Sequence, residues 1–238
     1  MPTQQAIQRW FDGTYSRKGL SYLRPREFYS IFMKYLAVAE GDRLLDIGCG
    51  PGLLLAQALD RGALAAGVDI SAGALAMVGA QAPGAHVSLC SAEALCWPDR
   101  FFDYITCIGV FEHFLQPDHA LDEMRRVLKP QGRVCIMVPN SRTLKWQLEA
   151  RVLRIHDEDS NEKASTLKSW RRVFLAKQFA IECIYPDEWP AYERRRRLSR
   201  SGAGSFADFA ARTRRFPPLR FANQFVFILR PDARRFPD

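Results

Sequence analysis

Residues 44–52 constrain the fold of this 238-residue chain more than any other segment, because they combine an apolar strand with a glycine turn. They read Leu-Leu-Asp-Ile-Gly-Cys-Gly-Pro-Gly. Glycines let the backbone bend sharply and approach a ligand, and the helix that follows presents unpaired N–H groups. Asp69 ends the next apolar run, where a carboxylate suits the two hydroxyls of a ribose. The segment therefore predicts a site for an adenosine-type ligand.

Short apolar runs alternate with helical segments around this turn, as in a parallel sheet built from strand–helix–strand units. Each run is too short for a buried helix and is bounded by Gly, Pro, Asp or Asn. Helices are predicted over about 52–61, 118–128, 143–155 and 167–179, and residues 1–40 are predicted to be helical. The predicted strands are 43–47, 66–69, 86–90, 104–108, 133–138, 180–185 and 224–229.

The spacing of the glycines distinguishes between two classes of adenosine ligand. A dinucleotide site needs G-x-G-x-x-G, but here the third glycine, Gly52, comes one residue early and Leu53 takes its place. Asp46 would repel a pyrophosphate, whereas its carboxylate suits the cationic amino group of S-adenosylmethionine (SAM). The pattern favours SAM over NAD.

With these motifs, the sequence resembles the class I SAM-dependent methyltransferases over about residues 40–140. The resemblance implies an α/β fold with a Rossmann-like, doubly wound, seven-stranded sheet, an antiparallel last strand and a helical N-terminal lid. It divides the chain into a lid at 1–40 and a SAM-binding domain at 41–238, with a basic insertion at about 187–223. The cofactor contacts that it implies are Asp46, Gly48, Cys49, Gly50, Gly52, Asp69, Ile70, Ser91, Ala92, Glu93, Ile108 and Gly109.

Two further motifs place the chain within that family. Residues 91–96 resemble its third motif, with Ser91 in place of the usual aspartate. Residues 102–113, which end in Glu112-His113, resemble its small-molecule branch. The (Asp/Asn/Ser)-Pro-Pro-aromatic motif of nucleic-acid amino-methylating enzymes and the Pro-Cys motif of cytosine C5 enzymes are absent from the sequence. We expect a small-molecule acceptor that is methylated on a hydroxyl oxygen, and no nucleic acid.

A narrower set of motifs is similar to ubiquinone-biosynthesis O-methyltransferases. It comprises Trp-Phe-Asp at 10–12, Asn-Ser-Arg-Thr-Leu-Lys at 140–145, His-Asp at 156–157 and Glu-Lys at 162–163. Those enzymes methylate phenolic hydroxyls on lipid-tailed rings at the membrane surface. The resemblance implies a lipid-tailed acceptor and a peripheral membrane contact, and the basic segment at about 187–223 suits an anionic acceptor.

The candidate catalytic residues are His113 and His156. His113 follows the fourth strand, where it is either a general base for a hydroxyl or a helix-start residue bonded to backbone. His156 begins His-Asp-Glu-Asp, which is either an oxygen-rich cation site or a polar loop, and we predict no metal. In the lid, Tyr15, Tyr22 and Arg24 are the candidate substrate contacts.

The formal charge of +8 is concentrated late in the chain, including four consecutive arginines at 194–197. Such a segment attracts phosphate, an anionic membrane or an acidic substrate, or it is a solvated face. The alternative function is therefore a nucleic-acid or protein methyltransferase that uses this segment as a docking arm. The six cysteines lack metal-ligand spacing, and the N-terminus lacks a secretory pattern, so we expect a reduced, cytoplasmic protein.

Overall fold

The computed structural model describes residues 3–148, 161–190, 192–193, 219 and 222–232. Seven strands form one sheet in the order β3-β2-β1-β4-β5-β7-β6. All neighbours pair in parallel except β7, which is antiparallel to both β5 and β6. The predicted doubly wound sheet with an antiparallel last strand is confirmed. The strands are β1 Arg43–Ile47, β2 Leu64–Asp69, β3 His86–Leu89, β4 Phe102–Ile108, β5 Leu128–Pro139, β6 Phe179–Pro186 and β7 Gln224–Pro231.

Helices cover both faces of the sheet, as expected when parallel strands are joined by helical crossovers. One face is covered by α6, which buries Leu121 and Met124, and by α8, which buries Trp170 and Phe174. The other face is covered by α2 and α3. The helices are α1 Gln4–Lys18, α2 Ser30–Leu36, α3 Leu53–Leu59, α4 Ala72–Leu75, α5 Val78–Gln81, α6 Pro117–Val127, α7 Leu144–Leu148 and α8 Leu167–Ala176.

The N-terminal segment is helical but broken. Two short 3-10 turns, Gly19–Tyr22 and Arg26–Tyr29, separate α1 from α2. Pro25 lies between the turns, and proline disfavours a helical conformation at the residue before it. The break lets α1 turn back over the carboxyl ends of the strands, where it contacts α4.

Strand β5 begins at Leu128, five residues before the predicted start. The predicted helix stop at Lys129-Pro130 and Gly132 agrees with the end of α6 at Val127, but the strand begins at the next residue, because Leu128 is buried and pairs with Phe102 across a register shift. Gly132 is required there, because a Cβ atom would lie 2.8 Å from the carbonyl oxygen of Asp103. Glycine therefore permits close packing of two strands at this position.

Within the described residues, no helix is long and apolar enough to cross a bilayer. The predicted helix at 143–155 is described only as α7, and most of the basic segment at 187–223 lies outside the described residues.

Candidate active site

One cavity lies at the carboxyl ends of β1, β2, β3 and β4. The strand order reverses direction between β1 and β4, and open α/β sheets bind ligands at such a reversal. The N-terminal segment closes the cavity from the other side with α1 and the turn that follows it. Most of the predicted site residues line it: Tyr15, Tyr22, Asp46, Gly48, Cys49, Gly50, Asp69, Ile70, Ser91, Ala92, Glu93, Ile108, Gly109 and His113.

The glycine turn after β1 has no room for larger side chains. Gly48 and Gly50 have φ of +70° and +52°, which side-chain-bearing residues rarely adopt. A Cβ atom on Gly48 would lie 2.5 Å from Val110, and one on Gly50 would lie 2.7 Å from the hydroxyl oxygen of Tyr15. Gly52 has a different environment from the predicted one: it is not among the lining residues, and it packs against Val78 and Ala82.

Asp46 is the acidic residue of the strand that leads into this turn. Its side chain is buried and accepts a 2.7 Å hydrogen bond from the Thr106 hydroxyl. Burial raises the pKa of Asp46 to about 7, against the lowering effect of the Thr106 bond. Asp46 lines the cavity and forms no ion pair with a described residue. A cationic ligand in the cavity would therefore stabilise the ionised form of this carboxyl group.

Asp69, at the tip of β2, is held by the backbone on both carboxylate oxygens. Its Oδ2 accepts from the N–H of Gly50 and its Oδ1 from the N–H of Ser71, each at 2.8 Å. Burial raises the pKa of Asp69, and these N–H groups oppose that rise. A carboxylate can accept about four hydrogen bonds, so Asp69 keeps acceptor capacity for a ribose hydroxyl. The residues present thus fit the adenosine and amino groups of SAM.

The segment at 91–93 forms another wall of the cavity. The Ser91 hydroxyl accepts a 3.2 Å bond from the N–H of Glu93, which tightens the turn. The Glu93 carboxylate accepts a 2.9 Å bond from the N–H of Gln116. Glu93 is therefore anchored to the start of α6, and Ser91 shapes the segment in addition to lining the cavity.

Tyr15 and Tyr22 bring the N-terminal segment over the glycine turn. Their rings meet edge to face at 5.9 Å. Burial, with the nearby Asp69 carboxylate, raises the pKa of the Tyr15 phenol well above its ordinary value, so Tyr15 stays protonated. Asp12 binds this segment to α4, since its carboxylate accepts from the Ser71 hydroxyl at 2.5 Å and from the N–H of Gly73 at 3.2 Å.

Arg24 does not take the predicted position in the cavity. Its guanidinium donates to both carboxylate oxygens of Asp187 and to Gln224, all at 2.8 Å. It also lies over the rings of Phe28 and Trp189, at 4.7 and 5.3 Å. A guanidinium is planar and matches a carboxylate with two parallel bonds. Of the three candidate substrate contacts, Tyr15 and Tyr22 line the cavity, whereas Arg24 binds buried Asp187, which follows β6.

His113 belongs to a 3-10 turn, Phe111–His113, directly after β4. Its ring meets Phe11 of α1 edge to face at 5.3 Å, and its backbone N–H donates to Val110. The neighbouring Glu112 was quoted in the motif at 102–113 but was not predicted as a site residue. Its carboxyl is buried, its Oε2 makes no hydrogen bond within the described residues, and burial raises its pKa to about 8.

His156 lies outside the described residues, so its predicted role stays a prediction. Over the part of the chain that the structure describes, no group of three or more His, Cys, Asp or Glu side chains could hold a metal ion. Phe11, Tyr29 and Phe114 also line the cavity, and the sequence analysis did not name them as site residues. Phe11 was quoted only within the Trp-Phe-Asp motif, and an aromatic side chain alone does not distinguish a cavity wall from a core.

Residues 45–136 match the family described as "Methyltransferase domain". Over these residues, which are less than half of the chain, the sequence is similar to that methyltransferase family. The matched residues contain both acidic strand tips, Asp46 and Asp69. The "Ubiquinone biosynthesis O-methyltransferase" of Alkalilimnicola ehrlichii is 33% identical over 140 residues, which are 57% of this chain and 56% of that protein. The match thus spans little more than half the length of this relative.

Solved structures share the fold along most of the chain. A SAM-dependent methyltransferase from Mesorhizobium loti has a TM-score of 0.60 and 16% identity, covering 84% of this chain and 95% of that one. The [4+2]-cyclase SpnF has a TM-score of 0.69 and 16% identity, covering 97% and 96%. These likenesses establish the architecture, and a single architecture hosts more than one reaction.

Proposed function

We propose that this protein transfers a methyl group from SAM to a hydroxyl oxygen of a small molecule. The observation that carries the proposal is that His113 and an aromatic wall line the same cavity as Asp46 and Asp69. The wall consists of Phe11, Tyr22 and Phe114. Aromatic side chains suit a ring-containing acceptor, and the O-methyltransferase name of the relative from Alkalilimnicola ehrlichii supports a hydroxyl.

The residues of this chain then have to bind the cofactor, orient the acceptor and accept one proton. SAM supplies a methyl group that is already activated on a sulfonium. Asp46 would bind the amino group of the cofactor, and Asp69 would accept from the ribose hydroxyls. The N-terminal segment, through Tyr15 and Tyr22, covers the glycine turn and excludes water from it. His113 receives the hydroxyl proton as the acceptor oxygen becomes nucleophilic.

The acceptor is proposed to be anionic or lipid-tailed. The support is the charge of the chain, since four arginines stand together at 194–197 between β6 and β7. The described start of that connection, Asp187 and Glu188, binds the N-terminal segment that covers the cavity. A lipid-tailed acceptor implies a peripheral contact with a membrane surface.

The proposal is tested by incubating the purified protein with methyl-labelled SAM and four classes of acceptor: phenols and catechols, aliphatic amines, total RNA, and basic peptides. We expect the labelled methyl group to be transferred to the phenolic compounds and to be recovered in their methyl ethers. Transfer to RNA or peptide alone would replace this proposal with the docking-arm alternative. Absence of transfer to every class, by a protein that binds SAM, would contradict a methyltransferase function for the whole chain.

The role of His113 is tested with a matched pair of variants. His113→Ala should lower turnover by about 10²-fold or more while leaving SAM affinity nearly unchanged, as removal of a general base does. His119→Ala is the control, because His119 is exposed on α6 and is not among the cavity-lining residues. Equal turnover in the two variants would show that His113 has a structural role and is not the general base.

A further inference from the structure

The turn that carries His113 is too short to satisfy its own backbone. Phe111–His113 is a single 3-10 turn, in which the N–H groups of His113 and Phe114 donate to carbonyls three residues earlier. The carbonyl groups of Glu112, His113 and Phe114 receive no hydrogen bond from within the turn, and carbonyls shielded from water are nearly always paired. Because His113 and Phe114 line the cavity, the groups that pair with these carbonyls fix part of its wall.

A single segment supplies all three partners. The side-chain amide of Asn161 donates to the carbonyl of His113 at 2.9 Å and to that of Phe114 at 3.2 Å. The backbone N–H of Lys163 donates to the carbonyl of Glu112 at 3.1 Å. A side-chain amide nitrogen carries two protons, so Asn161 uses both of its donors on this turn.

The backbone of the same segment connects the turn to the sheet. Asn161 has φ of +54°, in the left-handed region that asparagine adopts more readily than most residues with a side chain. Four residues later, Ser165 bridges to Asn140, which directly follows β5, and its carbonyl accepts from the N–H of Ser141 at 3.1 Å. The segment is therefore anchored beside β5 and holds the His113 turn with its other end.

We propose that Asn161 is a positioning residue for methyl transfer, which holds the backbone of His113 and Phe114 so that both side chains keep their places in the cavity wall. The inference rests on the proposed role of His113 as the general base. Lys163 contributes only its backbone N–H, which every residue except proline has. Asn161 is therefore the residue of this segment whose side chain carries the effect.

The loss of these two hydrogen bonds should affect turnover and not cofactor binding. A general base has to lie within hydrogen-bond reach of the proton that it accepts, so a small displacement of His113 lowers the rate of the chemical step. The acidic cofactor residues Asp46 and Asp69 belong to β1 and β2, and Asn161 makes no hydrogen bond to either of them. A lower kcat with unchanged cofactor affinity is thus the expected signature.

The test compares two substitutions of Asn161 with a matched control, in the full chain and with a phenolic acceptor. Asn161→Gly removes both donors and keeps a backbone that adopts positive φ without strain, and Asn161→Asp keeps the side-chain shape without an N–H donor. Arg100→Gly is the control, because Arg100 has φ of +53°, is exposed and is not among the cavity-lining residues. Both Asn161 variants should lower kcat about tenfold and retain the wild-type affinity for S-adenosylhomocysteine, and the control should retain both values.

A double-mutant cycle distinguishes positioning from a general structural effect. If Asn161 acts through His113, adding Asn161→Gly to His113→Ala should lower kcat by less than about a further twofold, because the group that it positions is already gone. A tenfold loss that is the same in both backgrounds would overturn the proposal. Wild-type kcat in a folded Asn161→Gly protein would also overturn it and would leave the role of His113 itself unaffected.

A second readout does not depend on methyl transfer. Nuclear magnetic resonance of the histidine rings, with the His113 signals assigned from their loss in His113→Ala, reports the environment of this ring without an acceptor. The His113 signals should shift in Asn161→Gly and stay unchanged in Arg100→Gly. Unchanged His113 signals in Asn161→Gly would overturn the positioning role even if no acceptor is methylated.

Discussion

Arg24 and Asp187 form a two-bond ion pair across 163 positions of sequence, with both N–O distances at 2.8 Å. Arg24 belongs to the N-terminal segment, and Asp187 follows β6. The pair thus connects the segment that covers the cofactor cavity to the start of the basic segment. Its guanidinium is 19% exposed and its carboxylate 3% exposed, so water screens the pair weakly.

Arg24→Ala should destabilise the fold by roughly 3 kcal/mol, because it leaves a buried carboxylate without its partner. Arg26→Ala is the control, since Arg26 pairs with Asp60 at the surface, where both side chains are more than 40% exposed. Such exposed pairs contribute about 0–1 kcal/mol. Urea denaturation measures both. Similar free energies of unfolding for the two variants would show that Arg24 does not fix the N-terminal segment.

Asp69→Ala should weaken binding of S-adenosylhomocysteine by about 1–3 kcal/mol, the scale for loss of a charged hydrogen-bond partner. Its control is Asp118→Ala, at an exposed position at the start of α6. Isothermal titration should also detect no binding of NAD to the wild type. Wild-type affinity in a folded Asp69 variant would remove this residue from the cofactor site.

Cofactor affinity should depend on pH through Asp46. Burial holds the pKa of Asp46 near 7 in the ligand-free protein, so a large fraction of the carboxyl is protonated at neutral pH. A cationic amino group binds the ionised form. Affinity should therefore fall as the pH drops from 8 to 6, by up to about tenfold per unit below the pKa.

Asp46→Asn removes the titrating group and is the test of this assignment. The variant should bind S-adenosylhomocysteine more weakly than the wild type at pH 8 and should show little change between pH 6 and 8. A variant that retains the full pH dependence would assign the titration to another group.

Glu112 should lower the stability of the fold as the pH rises. Its pKa is raised from an ordinary value of 4.5 to about 8 by burial, so the folded protein holds an extra proton between those values. Stability from this group is fully present below about pH 4.5 and is lost as the pH rises through 8. Glu112→Gln should match the wild type in urea denaturation at pH 5 and exceed it at pH 9. Glu27→Gln, at an exposed position, should leave the pH 9 value unchanged.

The four arginines at 194–197 lie outside the described residues, and their predicted role is tested by kinetics. Replacing all four with Ser should raise the acceptor KM and flatten its dependence on salt, with SAM binding unchanged. Exposed charges are screened over a Debye length of about 8 Å at physiological ionic strength, so salt is a direct probe. Unaltered acceptor kinetics at every salt concentration would identify the segment as a solvated face.

Local patterns were sufficient to predict the sheet and the cofactor half of the site. The alternation of apolar runs and helices predicted all seven strands, and the glycine turn with Asp69 predicted which strand tips form the cavity. These features depend on period and backbone conformation, which a short stretch of sequence determines. The helix stop at Lys129-Pro130 was predicted correctly, but the start of β5 was misplaced because these residues do not interrupt the strand that begins at Leu128.

The features that were missed depend on partners distant in sequence. Arg24 was expected in the cavity because nothing near it in sequence revealed Asp187 or Gln224. Asp12 and Ser71 are 59 positions apart, and their hydrogen bond follows only from the return of α1 over α4. Glu112 was given no role of its own, because its burial follows from the fold and not from its neighbours in sequence.

The cavity is assembled from two parts of the chain with different relationships to known proteins. The cofactor wall lies within residues 45–136, the part that matches the methyltransferase family, whereas Phe11, Tyr15, Tyr22 and Tyr29 precede it. Proteins that share the matched part with this chain therefore share one half of a binding site. Exchanging residues 3–36 between such proteins should change the aromatic wall of the cavity and leave Asp46 and Asp69 in place, provided that the contact between Asp12 and Ser71 is kept.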